Sequence, residues 1–288
     1  MQNAGMAKLG LNWRYLAFEV HPDDLHAAIT GAKAMRFIGL NLTVPHKILA
    51  IDMVDAIEDS ATLWGAVNTI RFEGKDGAGN WTPLSDLEGS SAEIRSHGFN
   101  TDAEAITRSL KEDLDIDLAG KRVLVLGAGG AGRTAALKIA EHQVAELFLV
   151  NRTESKAEEV AREIKQRAPA VSVQIGYPSG RIDLLLNATS LGLKTEDVLP
   201  FDQKSFSLSQ AARVYDMIYR PAETPLLRAA KAAGCRISNG IGMLLYQGAK
   251  ALELWSGRQA PIDVMRKALE QNVYGIDPEQ NLRCLTIR

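Results

Sequence analysis

Along the 288 residues, apolar positions recur with two periods, and the places where the period changes mark the elements. Met6 and Leu9 stand at short helical spacing and run into Gly10. Residues 12–20 (NWRYLAFEV) are apolar on both faces, which predicts a strand buried in a parallel sheet. Pro22, Asp23 and Asp24 open a helix over 22–35, with Leu25, Ala28, Ile29 and Ala32 on one face. A strand over 37–44 ends at Pro45, a helix follows over 46–57, and a third strand covers 65–72. Residues 74–98, rich in Gly, Ser and charge, read as a long irregular connection.

From residue 103 the alternation is regular. Helices are predicted over 103–114, 132–142, 154–168 and 224–234. Strands are predicted over 121–127, 146–152, 171–175, 183–189, 213–219 and 235–238. Strands alternating with helices in this way specify an α/β unit with a parallel sheet. Helices over 242–255 and 261–273 close the chain, and 276–288 reads as a loosely attached tail.

Composition narrows the class. The chain is 46% hydrophobic and 24% charged with a formal net charge of -2, so it lacks the basic footprint of a nucleic-acid or anionic-membrane binder. No apolar run approaches the ~20 residues of a membrane span, and no signal-peptide pattern opens the chain. Cys235 and Cys284 are too few for a disulfide framework or a cysteine-based zinc site, and Cys235 starts an apolar strand. A reduced, cytoplasmic setting fits this usage. None of the five histidines has metal-ligand spacing with another, so no metal site is expected.

The sharpest chemical signal is Gly127-Ala128-Gly129-Gly130-Ala131-Gly132, a G-x-G-x-x-G run between a predicted strand and a predicted helix. Glycines there let the backbone approach a pyrophosphate, which sits against the free amides of the helix N-terminus. At the end of the next strand, where an NAD site keeps a carboxylate for the ribose 2′-hydroxyl, stand Asn151 and Arg152, followed by Thr153, Ser155 and Lys156. A carboxylate would repel a 2′-phosphate, whereas a guanidinium grips it with two hydrogen bonds. The expected cofactor is NADP.

In the first third, residues 41–47 (NLTVPHK) place Thr43 and Lys47 where a strand gives way to a helix, the ligand-facing end of an open α/β sheet. Oxidising an alcohol requires a group that takes the hydroxyl proton as hydride leaves. Lysine serves if partial burial lowers its pKa. Asn68 and Thr69, then Asn100, Thr101 and Asp102, add amide, hydroxyl and carboxylate groups at other strand ends, suiting a polyol; each alone also suits a turn or cap.

Taken together, NLTVPHK, GAVNT, NTD, GAGGAG, NRT, NATSLG, YDMIYRPAETPLL and NGIGMLLYQGA resemble the shikimate dehydrogenase family in order and spacing, over residues 1–275. The resemblance implies NADP-dependent, reversible conversion of 3-dehydroshikimate to shikimate in aromatic amino-acid biosynthesis, with quinate as the nearest rival substrate. It assigns Lys47 as acid/base with Asp102 beside it, and Thr43, Asn68, Asp102, Tyr219 and Gln247 to the substrate. It assigns Gly127, Ala128, Gly129, Gly130 and Ala131 to the pyrophosphate, and Asn151, Arg152, Thr153 and Lys156 to the 2′-phosphate end. Met217, Gly240 and Met243 would pack around the nicotinamide, with Thr189 and Ser190 near the cofactor; the two methionines also suit a core and Ser190 a turn.

The implied architecture is two α/β domains. A parallel-sheet substrate domain (1–103, completed by 241–275) faces an NADP-binding Rossmann domain (104–240) across a cleft, and a homodimer stays open. The family pattern also has an opening strand and an S-x-S-P loop, whose serines are expected to bind the shikimate carboxylate. Here Met1 falls after them. Two accounts follow: Met1 is an internal methionine of a longer protein, or the chain is whole and keeps NADP binding without a full substrate site.

Overall fold

The computed structural model describes residues 1–89 and 91–275, so the tail over 276–288, with Cys284, lies outside the described residues. The chain divides into two compact units. One comprises Met1–Asp102 and Leu245–Asn272; the other comprises Ala103–Leu244 and Val273–Gly275.

The first unit runs α1 (Gln2–Lys8), α2 (Leu25–Ala34), β1 (Gly39–Asn41), α3 (His46–Leu49), β2 (Ala56–Ile57), α4 (Asp59–Trp64), β3 (Thr69–Lys75), β4 (Trp81–Pro83) and β5 (Ile94–Phe99). Its sheet has the order β1-β3-β5-β2, with β4 on β3. The parallel sheet expected here is corrected: β3 pairs antiparallel with β1, β4 and β5, and β2 alone pairs parallel with β5. For β3 and β4 the cause is local: the link over 76–80 is too short for the crossover that parallel neighbours need. Asp76 closes the β3–β4 turn by accepting from Ala78 N and Asn80 N, with Gly79 at φ +84. The stretch 74–98 is therefore not an irregular connection; it carries β4 and β5.

Two further expectations fail. Residues 12–20 form no strand: Leu16 and Phe18 are 66% and 64% exposed, and the segment is tied by single bonds rather than a ladder, as between Tyr15 N and Asn3 Oδ1, Tyr15 Oη and Asn41 Oδ1, and His46 Nε2 and Val20 O. An all-apolar run predicts burial only if a neighbouring strand supplies a ladder, and none pairs with it among the described residues. The helix expected over 46–57 stops at Leu49, passes through one 3-10 turn (Ala50–Met53) and ends as strand β2. There Asp55 accepts from Ser96 N, which draws the chain onto β5. The core joins Leu25, Ile29 and Ala32 of α2 to Ile70 and Phe72 of β3.

The second unit contains α5 (Asp102–Leu114), β6 (Arg122–Leu126), α6 (Gly130–Glu141), β7 (Glu146–Val150), α7 (Glu154–Arg167), β8 (Ser172–Ile175), β9 (Ile182–Asn187), β10 (Ala211–Asp216), α8 (Pro225–Ala232) and β11 (Arg236–Asn239). All six strands are parallel, in the order β11-β10-β9-β6-β7-β8. The order reverses between β6 and β9, so the crevice outside their carboxyl ends is where a ligand sits in such a sheet. Leu124, Leu126, Leu185 and Val214 are fully buried, as expected for strands covered on both faces. Cys235 is buried too; its thiol points at the Leu208 and Ala211 carbonyls, and burial pushes its pKa up.

Helices α9 (Ile241–Ser256) and α10 (Ile262–Tyr274) serve both units along their length. The start of α9 belongs to the second unit because a Cβ on Gly242 would overlap the Asp113 carboxylate, and the Met243 backbone bonds the Tyr215 hydroxyl. Its later turns belong to the first, where Trp255 Nε1 donates to Ile70 O at 2.9 Å against Gly39, whose missing Cβ leaves room for the indole.

Candidate active site

In the first unit the sheet's strand ends gather a polar cluster. Lys47 sits on α3, and its backbone carbonyl accepts from Val67 N, so its position is set by the stretch leading to Asn68. Lys47 Nζ donates to Asp102 Oδ2 at 2.7 Å, with the two side chains only 25% and 16% exposed. Asp102 is aimed by its own turn, since its backbone N–H donates to Asn100 Oδ1 while Asn100 Nδ2 holds Ala66 O. Lysine carries three donors, so an ammonium held by one carboxylate still has hydrogens for a substrate oxygen.

Asn68 is buried beside this pair. Its Oδ1 accepts from Thr101 N at 2.8 Å, and its Nδ2 donates to Thr101 Oγ1 at 3.0 Å and reaches Gln247 Oε1 at 3.5 Å. Residues 41, 47, 68, 101–102 and 247 thus meet within one unit although they lie far apart in sequence. Thr43 is exposed, its carbonyl accepting from His46 N at the start of that helical turn. Sequence reasoning missed Tyr15 and Asn41. Tyr15 Oη donates to Asn41 Oδ1 at 3.0 Å, Asn41 Nδ2 donates to Thr69 Oγ1, and burial pushes the Tyr15 phenol up. The strand expected over 12–20 hid Tyr15, whose role depends on a contact 26 residues away.

In the second unit the glycine run lies between β6 and α6, at the switch point. Gly127 has φ +100, and a Cβ there would press on the Ala188 carbonyl carbon and oxygen at 3.0 Å. A Cβ on Gly132 would overlap the Gly127 carbonyl, so the third glycine is what lets the helix start close under the turn. At Gly129 and Gly130 a Cβ would meet nothing within 4 Å. That combination, tight beneath and open above, fits a pyrophosphate lying over the loop.

Asn151 has a different task from Arg152. Its Oδ1 accepts from Ala128 N at 3.0 Å and its Nδ2 donates to Thr153 O at 2.8 Å, so it braces the glycine loop against the turn after β7. Arg152, Thr153 and Lys156 are exposed around that turn. A cavity of about 320 Å³ adjoins them, lined by Gly129, Gly130, Arg133, Lys156 and Glu163 among others. Arg133 donates to both Glu163 oxygens, at 2.8 and 2.5 Å, and Arg167 shares the same carboxylate. Glu159 also lines the cavity, so its two cations, Arg133 and Lys156, stand beside two carboxylates, and Arg133 is already held by Glu163. Arg133 went unremarked in the sequence because its importance lies in a bond from α6 to α7.

Thr189 is hydrogen-bonded to Asn187, and Ser190 is exposed. Met217 and Met243 are half-buried, and a Cβ on Gly240 would overlap the Met217 carbonyl. Tyr219 lies in the second unit, 38% exposed, its carbonyl accepting from Tyr274 Oη. Among the described residues no group of three or more His, Cys, Asp or Glu side chains is placed to hold a metal, and no helix is long and apolar enough to cross a membrane.

The sequence profile described as "Shikimate dehydrogenase substrate binding domain" matches residues 1–70, "Shikimate / quinate 5-dehydrogenase" matches 108–190, and "Shikimate 5'-dehydrogenase C-terminal domain" matches 240–270. A shikimate dehydrogenase (NADP(+)) of Methanopyrus kandleri is 37% identical over 280 residues, covering 95% of this chain and 90% of that protein. Among solved structures, the 5-ketofructose reductase of a Gluconobacter strain superposes with a TM-score of 0.76 at 35% identity, covering 94% of this chain and 92% of that one. The Thermus thermophilus shikimate 5-dehydrogenase in complex with NADP(H) and shikimate has a TM-score of 0.75 at 31% identity, covering 93% and 92%.

Proposed function

The chain belongs to the shikimate dehydrogenase family, and from that premise we propose that it catalyses the NADP-dependent, reversible conversion of 3-dehydroshikimate to shikimate in aromatic amino-acid biosynthesis. The observation that carries the reading is the Lys47–Asp102 pair at 2.7 Å, set among buried amide and hydroxyl groups. Lys47 takes the proton of the C3 hydroxyl when shikimate is oxidised and returns it to the carbonyl oxygen when 3-dehydroshikimate is reduced. Asp102 holds the lysine nitrogen in place and accepts from a neighbouring substrate hydroxyl. Bound NADP supplies the hydride acceptor, and in the reverse direction the hydride donor. Asn68, Thr43, Tyr219 and Gln247 hold the remaining polar groups of the substrate.

The first unit is accordingly the substrate domain and the second the NADP domain. The amides of Gly127–Ala131 hold the pyrophosphate, with Asn151 keeping the loop in shape. Arg152, Thr153 and Lys156 grip the 2′-phosphate, and Thr189, Ser190, Met217, Gly240 and Met243 surround the nicotinamide. We place the enzyme in the cytoplasm, where Cys235 stays a buried thiol, and light scattering tests a homodimer.

NADP+ reduction in the presence of shikimate, followed at the nicotinamide absorbance, tests the reading; turnover at a rate well above that with NAD+ is expected. A broader polyol specificity is the second reading, favoured by the match to a shikimate / quinate profile and by the resemblance to the 5-ketofructose reductase. Quinate or 5-ketofructose turned over as fast as the shikimate pair would replace the narrower assignment. No turnover with any of them, while NADP still binds, would leave a cofactor-binding protein.

A further inference from the structure

Strands β9 and β10 are register partners to their last residues, where Asn187 stands opposite Asp216. Side chains at paired positions in neighbouring strands lie side by side on one face, and here they bond: Asn187 Nδ2 donates to Asp216 Oδ1 at 3.0 Å. Both residues, and Thr224 beyond them, are fully buried. After these two positions the ladder ends and both chains turn into loops, whose backbone the two side chains then hold.

Asn187 Oδ1 accepts from Thr189 N at 3.0 Å and Thr189 Oγ1 at 2.8 Å, and its Nδ2 also reaches Leu191 O. Asp216 Oδ1 accepts from Ile218 N at 3.1 Å, and its Oδ2 from Thr224 Oγ1 at 2.7 Å. Thr224 in turn caps α8 by accepting from Leu227 N. Met217 is thereby held on both sides, since its own N–H donates to Asn187 O and the next amide donates to Asp216. Gly240 closes the third side, its N–H donating to Ile218 O with no room for a Cβ beside the Met217 carbonyl.

Among the described residues no Lys, Arg or His pairs with Asp216; all three of its partners are neutral donors. Burial pushes its carboxyl up, against the pull of those donors. A buried carboxyl without a cation is a poor device for stability alone, because apolar packing of similar volume does as well or better. What it does supply is four acceptor sites, enough to take one donor from each of three separate segments. The two loops it joins leave β9 and β10, on one side of the switch point, whereas Arg152, Thr153 and Lys156 follow β7 on the other side.

We propose that Asp216, acting with Asn187 and Thr224, is a positioning residue that sets the nicotinamide end of the cofactor site by fixing the loops carrying Thr189 and Met217. The proposal rests on the reading of the second unit as an NADP domain. Asp216 touches neither substrate nor cofactor in this scheme. Its effect reaches one half of the dinucleotide and leaves the adenosine half alone.

Calorimetric titration of the full chain with NADP+ and with adenosine 2′,5′-bisphosphate separates the halves. Asp216→Asn swaps one acceptor for a donor, and Thr224→Val removes the hydroxyl at nearly constant volume. Each is expected to weaken NADP+ by about tenfold, the size of one lost hydrogen bond to a charged group, while the bisphosphate changes by less than about twofold. Thr224→Ser, which keeps the hydroxyl, should restore NADP+ affinity. Equal weakening of both ligands would mean the network merely stabilises the domain, and unchanged NADP+ affinity in a folded Thr224→Val protein would likewise overturn the proposal. Should Asp216→Asn fail to fold, the Val and Ser pair at 224 decides alone. Wild-type protein that binds neither ligand would overturn the cofactor reading itself, and the proposal with it.

Discussion

The two units build their sites from different materials. In the second, the glycine turn offers backbone amides and conformational freedom, and the residues needed to form it are contiguous, Gly127–Gly132. In the first, the site is made of side chains from the ends of separate elements, and Lys47 meets a carboxylate 55 residues away. A backbone site is specified by local sequence and by a regular parallel sheet. A side-chain site depends on every strand end arriving correctly, so it is the more vulnerable to single substitutions.

The largest test of that contrast is Lys47→Ala. Loss of a positioned acid/base lowers turnover by about 10²–10⁴-fold, and NADP affinity should stay unchanged by calorimetry. Activity surviving the substitution would remove Lys47 from proton transfer. Next in size is the parallel sheet's own dependence on its core. Leu185→Ala, at a fully buried position of β9, should lower unfolding free energy by about 2–5 kcal/mol in urea titration. A loss under about 1 kcal/mol would show that this sheet does not rest on the packing described.

Acid sharpens the comparison from the side of the first unit. Glu73 on β3 is buried, which by itself raises its pKa, but hydrogen bonds from His97, Arg71 and Arg95 hold it down at about 2, against 4.5 for a free glutamate. A depressed carboxyl contributes stability that is present above the unfolded value and lost as pH falls from 4.5 towards 2. The contribution at neutral pH is on the order of 3 kcal/mol. Glu73→Gln should therefore lower stability at neutral pH and flatten the acid limb of a urea midpoint-versus-pH curve. The second unit has no such buried, multiply paired carboxylate among the described residues; its Asp216 is shifted the other way.

The smallest expected effect concerns cofactor choice. Arg152→Gln should raise the Kd for NADP+ by about tenfold and leave NAD+ within about twofold, since only the 2′-phosphate contact is lost. If both cofactors weakened alike, Arg152 would be shaping the turn after β7.

Much of the second unit is legible in the sequence. Its helices and strands carry their periods over many residues, and the glycine run forms the tight turn expected of it between β6 and α6, with Asn151 braced against it. The first unit was legible in its motifs but not in its sheet. Residues 12–20 read as a buried strand and instead form an irregular, largely exposed stretch, residues 56–57 read as helix and pair with β5, and residues 74–98 concealed two strands. β2 and β4, of two and three residues, are too short to show a period, and β5, though six residues long, is paired by partners elsewhere in the chain. The sequence singled out Lys47, Asp102 and Asn68, which the fold brings into one cluster, and passed over Tyr15, Asn41 and Arg133, whose bonds run to other elements.

By itself, then, the sequence determined the α/β class, the glycine turn before α6, the residue types of an NADP-dependent alcohol chemistry and the family. Those properties live in contiguous stretches, where backbone freedom, helix termini and charge are local facts. Tertiary structure alone decided that the first sheet is mixed, that Lys47 lies 2.7 Å from Asp102, and that the buried Asn187, Asp216 and Thr224 tie two loops together. Such contacts form only when segments distant along the chain are packed together, and burial then makes each remaining hydrogen bond obligatory.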